Sequence, residues 1–339
     1  MTFKETLRAT SYHDEGIYQQ ERANIFGKDW LLIGHEAMWS EPGSYLALSI
    51  AQWPILIIRG QDGSLKAFHN VCAHRASMIL EEGMGRATAL RCLYHGWVYD
   101  QNGHLAKAPN FGEEDALLCS DIKLKSINLE IWNNLVFISL SNQPDSFSAS
   151  LGDFERETKS VSLEHFVFHS YKVHRLNCNW KTYVENYAEG YHIPYVHPGL
   201  NEEVDMSTYE VTPHEKIAVH SSDPRESDKT GLNDGLWVWH WPYAALNVYK
   251  SGMNLEIMVP DGPEHTNLHY YYLFDANTDE QERLQTISMS QEVTAEDRKV
   301  CEIVHKNIKA GIYSKGKLSP HHEKGVSYFQ DLWREVIKE

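Results

Sequence analysis

Two short cysteine–histidine pairs constrain this chain more than any other feature. They are Cys72-Ala73-His74 and, after 17 intervening residues, Cys92-Leu93-Tyr94-His95. Each arm offers one thiolate and one imidazole. Two such arms on two loops can enclose a metal centre.

Two chemistries fit the four residues. A structural zinc site takes Cys and His in a tetrahedron, but zinc modules tend to pair like ligands within an arm, as C-x2–4-C and H-x3–5-H. Here each arm is mixed. In a Rieske-type [2Fe–2S] cluster two Cys hold one iron and two His the other, so a mixed arm lets one loop serve both irons. The His pair raises the reduction potential, which suits delivery of electrons to a metal that activates oxygen.

The 339 residues are long for one domain and comfortable for two. A net charge of −16 argues against nucleic acid or an anionic membrane surface as partner and allows a cationic ligand. Residues 1–16 are polar, with no apolar signal segment, and no run reaches the ~18 apolar residues of a membrane span. Of five cysteines, two sit in the arms, while Cys119, Cys178 and Cys301 are scattered. That usage predicts a cytoplasmic protein with buried free thiols.

The hydrophobic pattern predicts an α+β chain. A helix is expected over 14–26, ending at Gly27. Strand-like runs follow at 30–34, 45–50, 55–59, 66–69 and 135–140, punctuated by Gly43, Asp62-Gly63 and Asn102-Gly103. Residues 41–150 therefore read as a small antiparallel β domain carrying both arms on loops. Residues 1–40 and 151–339 read as a second domain, an antiparallel sheet flanked by helices. Its strands are expected at 237–249, 255–259 and 267–274, with helices at 179–191 and 294–309.

That second domain holds the other informative stretch, Asn179 to His197. On a helix, Glu185, Glu189 and His192 share one face. Pro194 disfavours continuing the helix beyond Ile193, which frees His197 to swing back beside His192. Two His and one carboxylate form the facial triad of non-haem Fe(II) oxygenases. Glu189 can supply the carboxylate. Asp297 is the better candidate, because it stands one turn before an expected apolar stripe at Val300, Val304 and Ile308. Thr294-Ala-Glu-Asp297 also fits a helix-capping box, which would give Asp297 a purely structural role. Trp237, Trp239, Trp241, Tyr243 and Tyr249 offer aromatic faces for a cation. Their alternation along a strand fits core packing equally well.

These motifs together resemble the α subunits of Rieske non-haem iron oxygenases. The likeness runs from Tyr18–Trp30 through Phe68–Arg75 and Cys92–Trp97 to Gly311–Phe329. It is greatest to the choline monooxygenase and glycine betaine or carnitine oxygenase branch, on Glu185–Leu200 and Glu296–Glu302. The resemblance implies Cys72 and Cys92 on one cluster iron, His74 and His95 on the other, and His192, His197 and Asp297 on a mononuclear Fe(II). It also gives Glu189 a catalytic part, linking His192 to a cluster His of the neighbouring subunit in a head-to-tail homotrimer. Many members carry Asp at that place.

As partners it implies an NAD(P)H-dependent flavin/iron–sulfur reductase, acting directly or through a ferredoxin, together with O2 and a small organic substrate. The expected reaction is hydroxylation or N-demethylation of a quaternary ammonium or amine compound. An aromatic-ring hydroxylating dioxygenase is the alternative within the family. A pure electron-transfer protein would not need the His192/His197 pair.

Overall fold

The computed structural model describes residues 3–118, 121–159, 161–223 and 235–338. Cys119 lies outside them. The chain forms two compact units, Gly27–Asp145 and a larger one made of Met1–Phe26 with Ser146–Glu339. The α+β class holds for the chain, with the smaller unit built mainly of strands.

The smaller unit contains β1 (Leu31–His35), β2 (Ser44–Ile50), β3 (Trp53–Arg59), β4 (Leu65–His69), β5 (Gly83–Arg86), β6 (Leu90–Arg91), β7 (Val98–Tyr99), β8 (Leu105–Lys107), β9 (Ser126–Trp132) and β10 (Leu135–Ser139). One sheet has the order β1-β10-β9-β4-β3-β2-β5, and β6-β7-β8 form a second. Two hairpins close with two residues at positive φ, Ala51-Gln52 between β2 and β3 and Asn133-Asn134 between β9 and β10. Such turns match the twist of paired strands, and Asn tolerates the left-handed region well. The unit begins earlier than the expected boundary at residue 41. The reason is β1, whose five residues are all buried and which pairs antiparallel with β10.

In the larger unit, β11 (Phe166–Leu176), β12 (Glu210–His214), β13 (Ile217–Ser221), β14 (Leu236–His240), β15 (Ala244–Val248), β16 (Gly252–Pro260) and β17 (Thr266–Asp275) build one antiparallel sheet, ordered β11-β17-β16-β15-β14-β13-β12. Every residue of β15 and β16 is buried. The N-terminal helix Glu15–Glu21 is capped by Asp14, whose side chain accepts from Ile17 N, and runs on as a π-turn to Phe26. Its Glu21 is fully buried. The carboxylate meets Lys181 Nζ at 2.5 Å and accepts from Trp180 Nε1 at 2.9 Å and Trp333 Nε1 at 2.7 Å. This network ties the N-terminal segment, the Trp180–Tyr187 helix and the Lys324–Val336 helix together. Among the described residues no helix is long and apolar enough to cross a membrane.

Two helices differ from the sequence expectation. The helix expected over 179–191 stops at Tyr187, with Asn179 as its cap. Glu185 therefore does not share a face with Glu189 and His192. It is held instead by the Tyr12 hydroxyl (2.8 Å) and Gln330 Nε2 (2.9 Å). The helix expected at 294–309 is the second half of a longer one, Glu280–Lys309, capped by Asp279. Asp297 lies mid-helix, so the capping role falls away. The buried face runs through Thr294, Asp297, Cys301, His305 and Ile308. Val304, placed by sequence on that stripe, is 40% exposed. Cys178 and Cys301 are buried free thiols.

Candidate metal centres

In the smaller unit the first arm lies on the β4–β5 loop and the second on the β6–β7 loop. Asn70 clamps the first loop. Its side-chain oxygen accepts from Ile79 N (3.0 Å) and Leu80 N (3.1 Å), and its Nδ2 donates to Leu80 O (2.7 Å). Gly96, at φ +69°, makes the tight reversal after His95 and donates to Cys92 O. Cys92 N in turn donates to Trp97 O at 2.8 Å.

Both cysteines are buried in a core with Leu56, Phe68, Trp97 and Tyr99. The His74 and His95 rings lie 4.7 Å apart, and His74 stacks on Trp97 at 4.5 Å. Tyr99 places its hydroxyl 3.1 Å from Cys72 Sγ and accepts from Ala73 N. Tyr94 N approaches Cys92 Sγ at 3.5 Å. His74 Nδ1 is buried without a hydrogen-bond partner. A buried, unpaired ring nitrogen beside a second imidazole and two thiols suits metal ligation, because burial without a partner otherwise carries a desolvation cost.

In the larger unit His192, His197 and Asp297 converge, and their ligand atoms all lie within 4.8 Å of one another. His192 Nε2 is 3.1 Å from His197 Nε2 and 3.5 Å from Asp297 Oδ1, and His197 Nε2 is 2.9 Å from the same oxygen. Ligands about 2.1 Å from one ion and at right angles to each other would be about 3.0 Å apart, so these separations fit three adjacent positions around one metal. The imidazoles are oriented from behind. Glu189 meets His192 Nδ1 at 2.5 Å, and Glu296 meets His197 Nδ1 at 2.7 Å. Each Nε2 is thereby turned toward Asp297, the carboxylate–histidine–metal arrangement. Asn186 Nδ2 donates to Asp297 Oδ1 at 2.7 Å.

The electrostatics favour a cation. Burial opposes protonation of His192, yet the Asp297 and Glu189 carboxylates outweigh it and lift its pKa to about 9. Burial would raise the Asp297 carboxyl, but the two imidazoles hold it at about 2. The triad borders a cavity of about 680 Å³. Trp237 and Tyr249 also line it, whereas Trp239 and Trp241 pack edge-on against each other and Tyr243 against Phe26.

The metal-ligand candidates read from the sequence thus fall into two groups, one per unit, with Glu189 beside His192. Glu296, Asn186 and Tyr99 escaped that reading. Glu296 neighbours Asp297 on its helix and so lies about 100° around it, off the buried stripe. Helical period alone turns it outward.

Residues 163–339 match the profile of the ring-hydroxylating α-subunit catalytic domain, and residues 29–127 match that of the Rieske [2Fe–2S] domain. The chain belongs to the Rieske non-haem iron oxygenases, and its cofactors are a Rieske cluster and a mononuclear iron. Among its relatives, chloroplastic choline monooxygenase of Beta vulgaris is 30% identical, with 98% of this chain and 77% of that protein covered. The carnitine monooxygenase oxygenase subunit of Escherichia coli K12 is 30% identical, covering 98% and 94%. The quaternary ammonium Rieske monooxygenase CntA, solved with L-carnitine, superposes with a TM-score of 0.88 at 26% identity, covering 99% and 96%. Naphthalene 1,2-dioxygenase from Rhodococcus, at a TM-score of 0.80 and 17% identity over 97% and 93%, shares the fold.

Proposed function

We propose that this chain is the oxygenase component of a monooxygenase acting on a quaternary ammonium or related amine compound. One observation carries the reading: the two-His, one-carboxylate triad borders a cavity walled by tyrosines and carboxylates. Names among the relatives, choline and carnitine monooxygenase, support the substrate class.

In this reading Cys72 and Cys92 hold one iron of the cluster in the smaller, Rieske unit, and His74 and His95 hold the other. His192, His197 and Asp297 hold the mononuclear iron in the larger, catalytic unit. When bound, the cluster supplies electrons one at a time and the mononuclear iron supplies O2 activation. Glu189 and Glu296 fix the tautomers and ring planes of the two histidines. Asn186 fixes the Asp297 carboxylate.

Glu189 has a second task, to accept a hydrogen bond from His95 of the neighbouring subunit in a homotrimer. The two residues would then span the boundary between a cluster and the next subunit's iron. CntA was described as giving insight into inter-subunit electron transfer. The electrons come from an NAD(P)H-dependent flavin/iron–sulfur reductase, directly or through a ferredoxin, and the compartment is the cytoplasm.

Each turnover consumes one O2, two electrons and two protons. It places one oxygen in a C–H bond next to nitrogen or oxygen and releases the other as water. Turnover with choline, carnitine, glycine betaine and an arene, using NADH and a surrogate reductase, tests the proposal. Coupled O2 uptake with an aldehyde or a demethylated amine is the expected result. A cis-dihydrodiol from the arene, with no amine oxidised, would overturn it in favour of a ring dioxygenase.

A further inference from the structure

One carboxylate in the larger unit is left without a task by the metal centre. Glu256 lies in the middle of β16, opposite Ala245 of β15 and Tyr270 of β17. Its neighbours in the ladder make a polar patch on the otherwise apolar strands β15 and β16. Asn247 and Asn254 are direct cross-strand partners, and Asn247 Nδ2 donates to Asn254 Oδ1 and to Glu256 Oε1, both at 2.8 Å. The Tyr187 hydroxyl donates to Asn247 Oδ1 at 2.7 Å, and Asn254 Nδ2 donates to the Tyr249 hydroxyl at 3.1 Å. Glu256, Asn247, Asn254, Tyr187, Tyr249 and Tyr270 line the cavity that the iron triad borders.

Burying a carboxylate in a sheet is costly unless a cation or several donors compensate it. Here compensation is partial. Burial pushes the Glu256 carboxyl up to about 7, the Asp297 charge adds to that rise, and hydrogen bonds from Tyr270 and Asn247 only offset part of it. Among the described residues that line the cavity, none is a Lys or an Arg. His220, which does line it, is held neutral by burial, with its pKa lowered to about 3. Burial raises the phenol pKa values of Tyr183, Tyr249 and Tyr270, and the negative potential of Glu256 beside them adds to that rise. A quaternary ammonium has no N–H to donate. It is recognised by charge and by aromatic faces, and both are present at this one place.

We propose that Glu256 is the specificity-determining residue of the cavity: its carboxylate, ringed by Tyr183, Tyr249 and Tyr270, selects a substrate by the positive charge on its nitrogen. The assignment rests on the substrate class proposed above. It goes further by naming the group that reads the charge. Asn247 and Asn254 act as positioning residues that hold the carboxylate toward the cavity. Glu256 stays outside the metal centre, so its charge serves binding and not iron retention.

The test compares choline with 3,3-dimethylbutan-1-ol, the neutral isostere in which carbon replaces nitrogen. Binding of each to the iron-loaded holoenzyme is measured by calorimetry, for wild type and Glu256→Gln. Gln keeps the shape and the hydrogen bond from Asn247, and iron and sulfide content confirm that both centres remain. Wild type should prefer choline. In Glu256→Gln choline binding should weaken by about 30-fold or more, as for removal of one partner of a buried charge pair. Binding of the isostere should hold or improve, so that the preference collapses. A merely structural Glu256 would weaken both ligands alike, and that result, or a retained preference for choline, overturns the assignment while leaving the substrate class standing. If wild type itself shows no preference for the cation, the substrate class and the assignment fall together.

Discussion

Glu296 gives the sharpest test of how the iron site is held. Its carboxylate accepts from His197 Nδ1 at 2.7 Å, and His197 is 1% exposed. Glu296→Gln leaves an oxygen that still accepts this bond but removes the charge. A hydrogen bond to a charged group contributes about 1.5–3 kcal/mol and a neutral one about 0.5–1.5, so the substitution should cost about 1–1.5 kcal/mol. The Glu296 side chain is 31% exposed, and solvent screens part of that difference. The expected loss is therefore about 1 kcal/mol, or roughly fivefold in iron affinity. Glu296→Ala removes the acceptor altogether and should reach the range of about 10- to 100-fold seen when a carboxylate behind a metal-bound histidine is lost. Competition with a ferrous chelator under anaerobic conditions measures both, with the cluster's visible absorbance as an internal reference. If neither variant changes iron affinity, the carboxylate does not orient His197 and the reasoning fails.

Tyr99→Phe removes the hydroxyl 3.1 Å from Cys72 Sγ. Hydrogen bonds to cluster sulfur favour the reduced state, so the cluster potential should fall by about 40 mV, the equivalent of about 1 kcal/mol for one electron. Redox titration followed by electron paramagnetic resonance reads the shift, and an unchanged potential would exclude the contact. Lys181→Met strands the fully buried Glu21 carboxylate and should destabilise the larger unit by about 3–5 kcal/mol in denaturant unfolding. Adding Glu21→Gln should restore part of the loss, and strictly additive effects would contradict a direct pair. Gly325→Ala should lower the melting temperature although alanine gains about 1 kcal/mol in helix propensity, because a Cβ there would overlap the Ala188 carbonyl oxygen. A rise would show that the two helices can move apart freely.

Much of this was legible in the chain itself, for reasons of spacing. The mixed Cys–His arms and the His192/His197 pair are local, so their loops could be placed before any fold was known. Asp297 lies 100 residues from His197, yet its presence on a helix with buried character marked it. The expected stripe holds at Ile308 and misplaces Val300 and Val304, which carry the apolar label while the buried face is built from Thr294, Asp297, Cys301, His305 and Ile308. Polar residues buried by metal and hydrogen-bond chemistry are invisible to a hydrophobic count. The same blindness hid Glu256, which sits in a strand of nine buried residues, most of them apolar. Glu185 misled in the opposite sense. The helix ends at Tyr187, and its carboxylate is spent on Tyr12 and Gln330, contacts 173 and 145 residues away that no local pattern encodes. The start of the smaller unit at Gly27 was missed likewise, because β1 pairs with β10 across about a hundred residues.

The central claim is that one chain carries a two-iron cluster and, on His192, His197 and Asp297, a separate mononuclear iron. Iron and acid-labile sulfide measured together on wild type and Asp297→Ala test it most directly. Wild type should hold one more iron than sulfide per chain. Asp297→Ala should hold equal amounts, with the cluster's absorbance spectrum unchanged. Equal amounts already in wild type, or the extra iron retained in Asp297→Ala, would contradict the account.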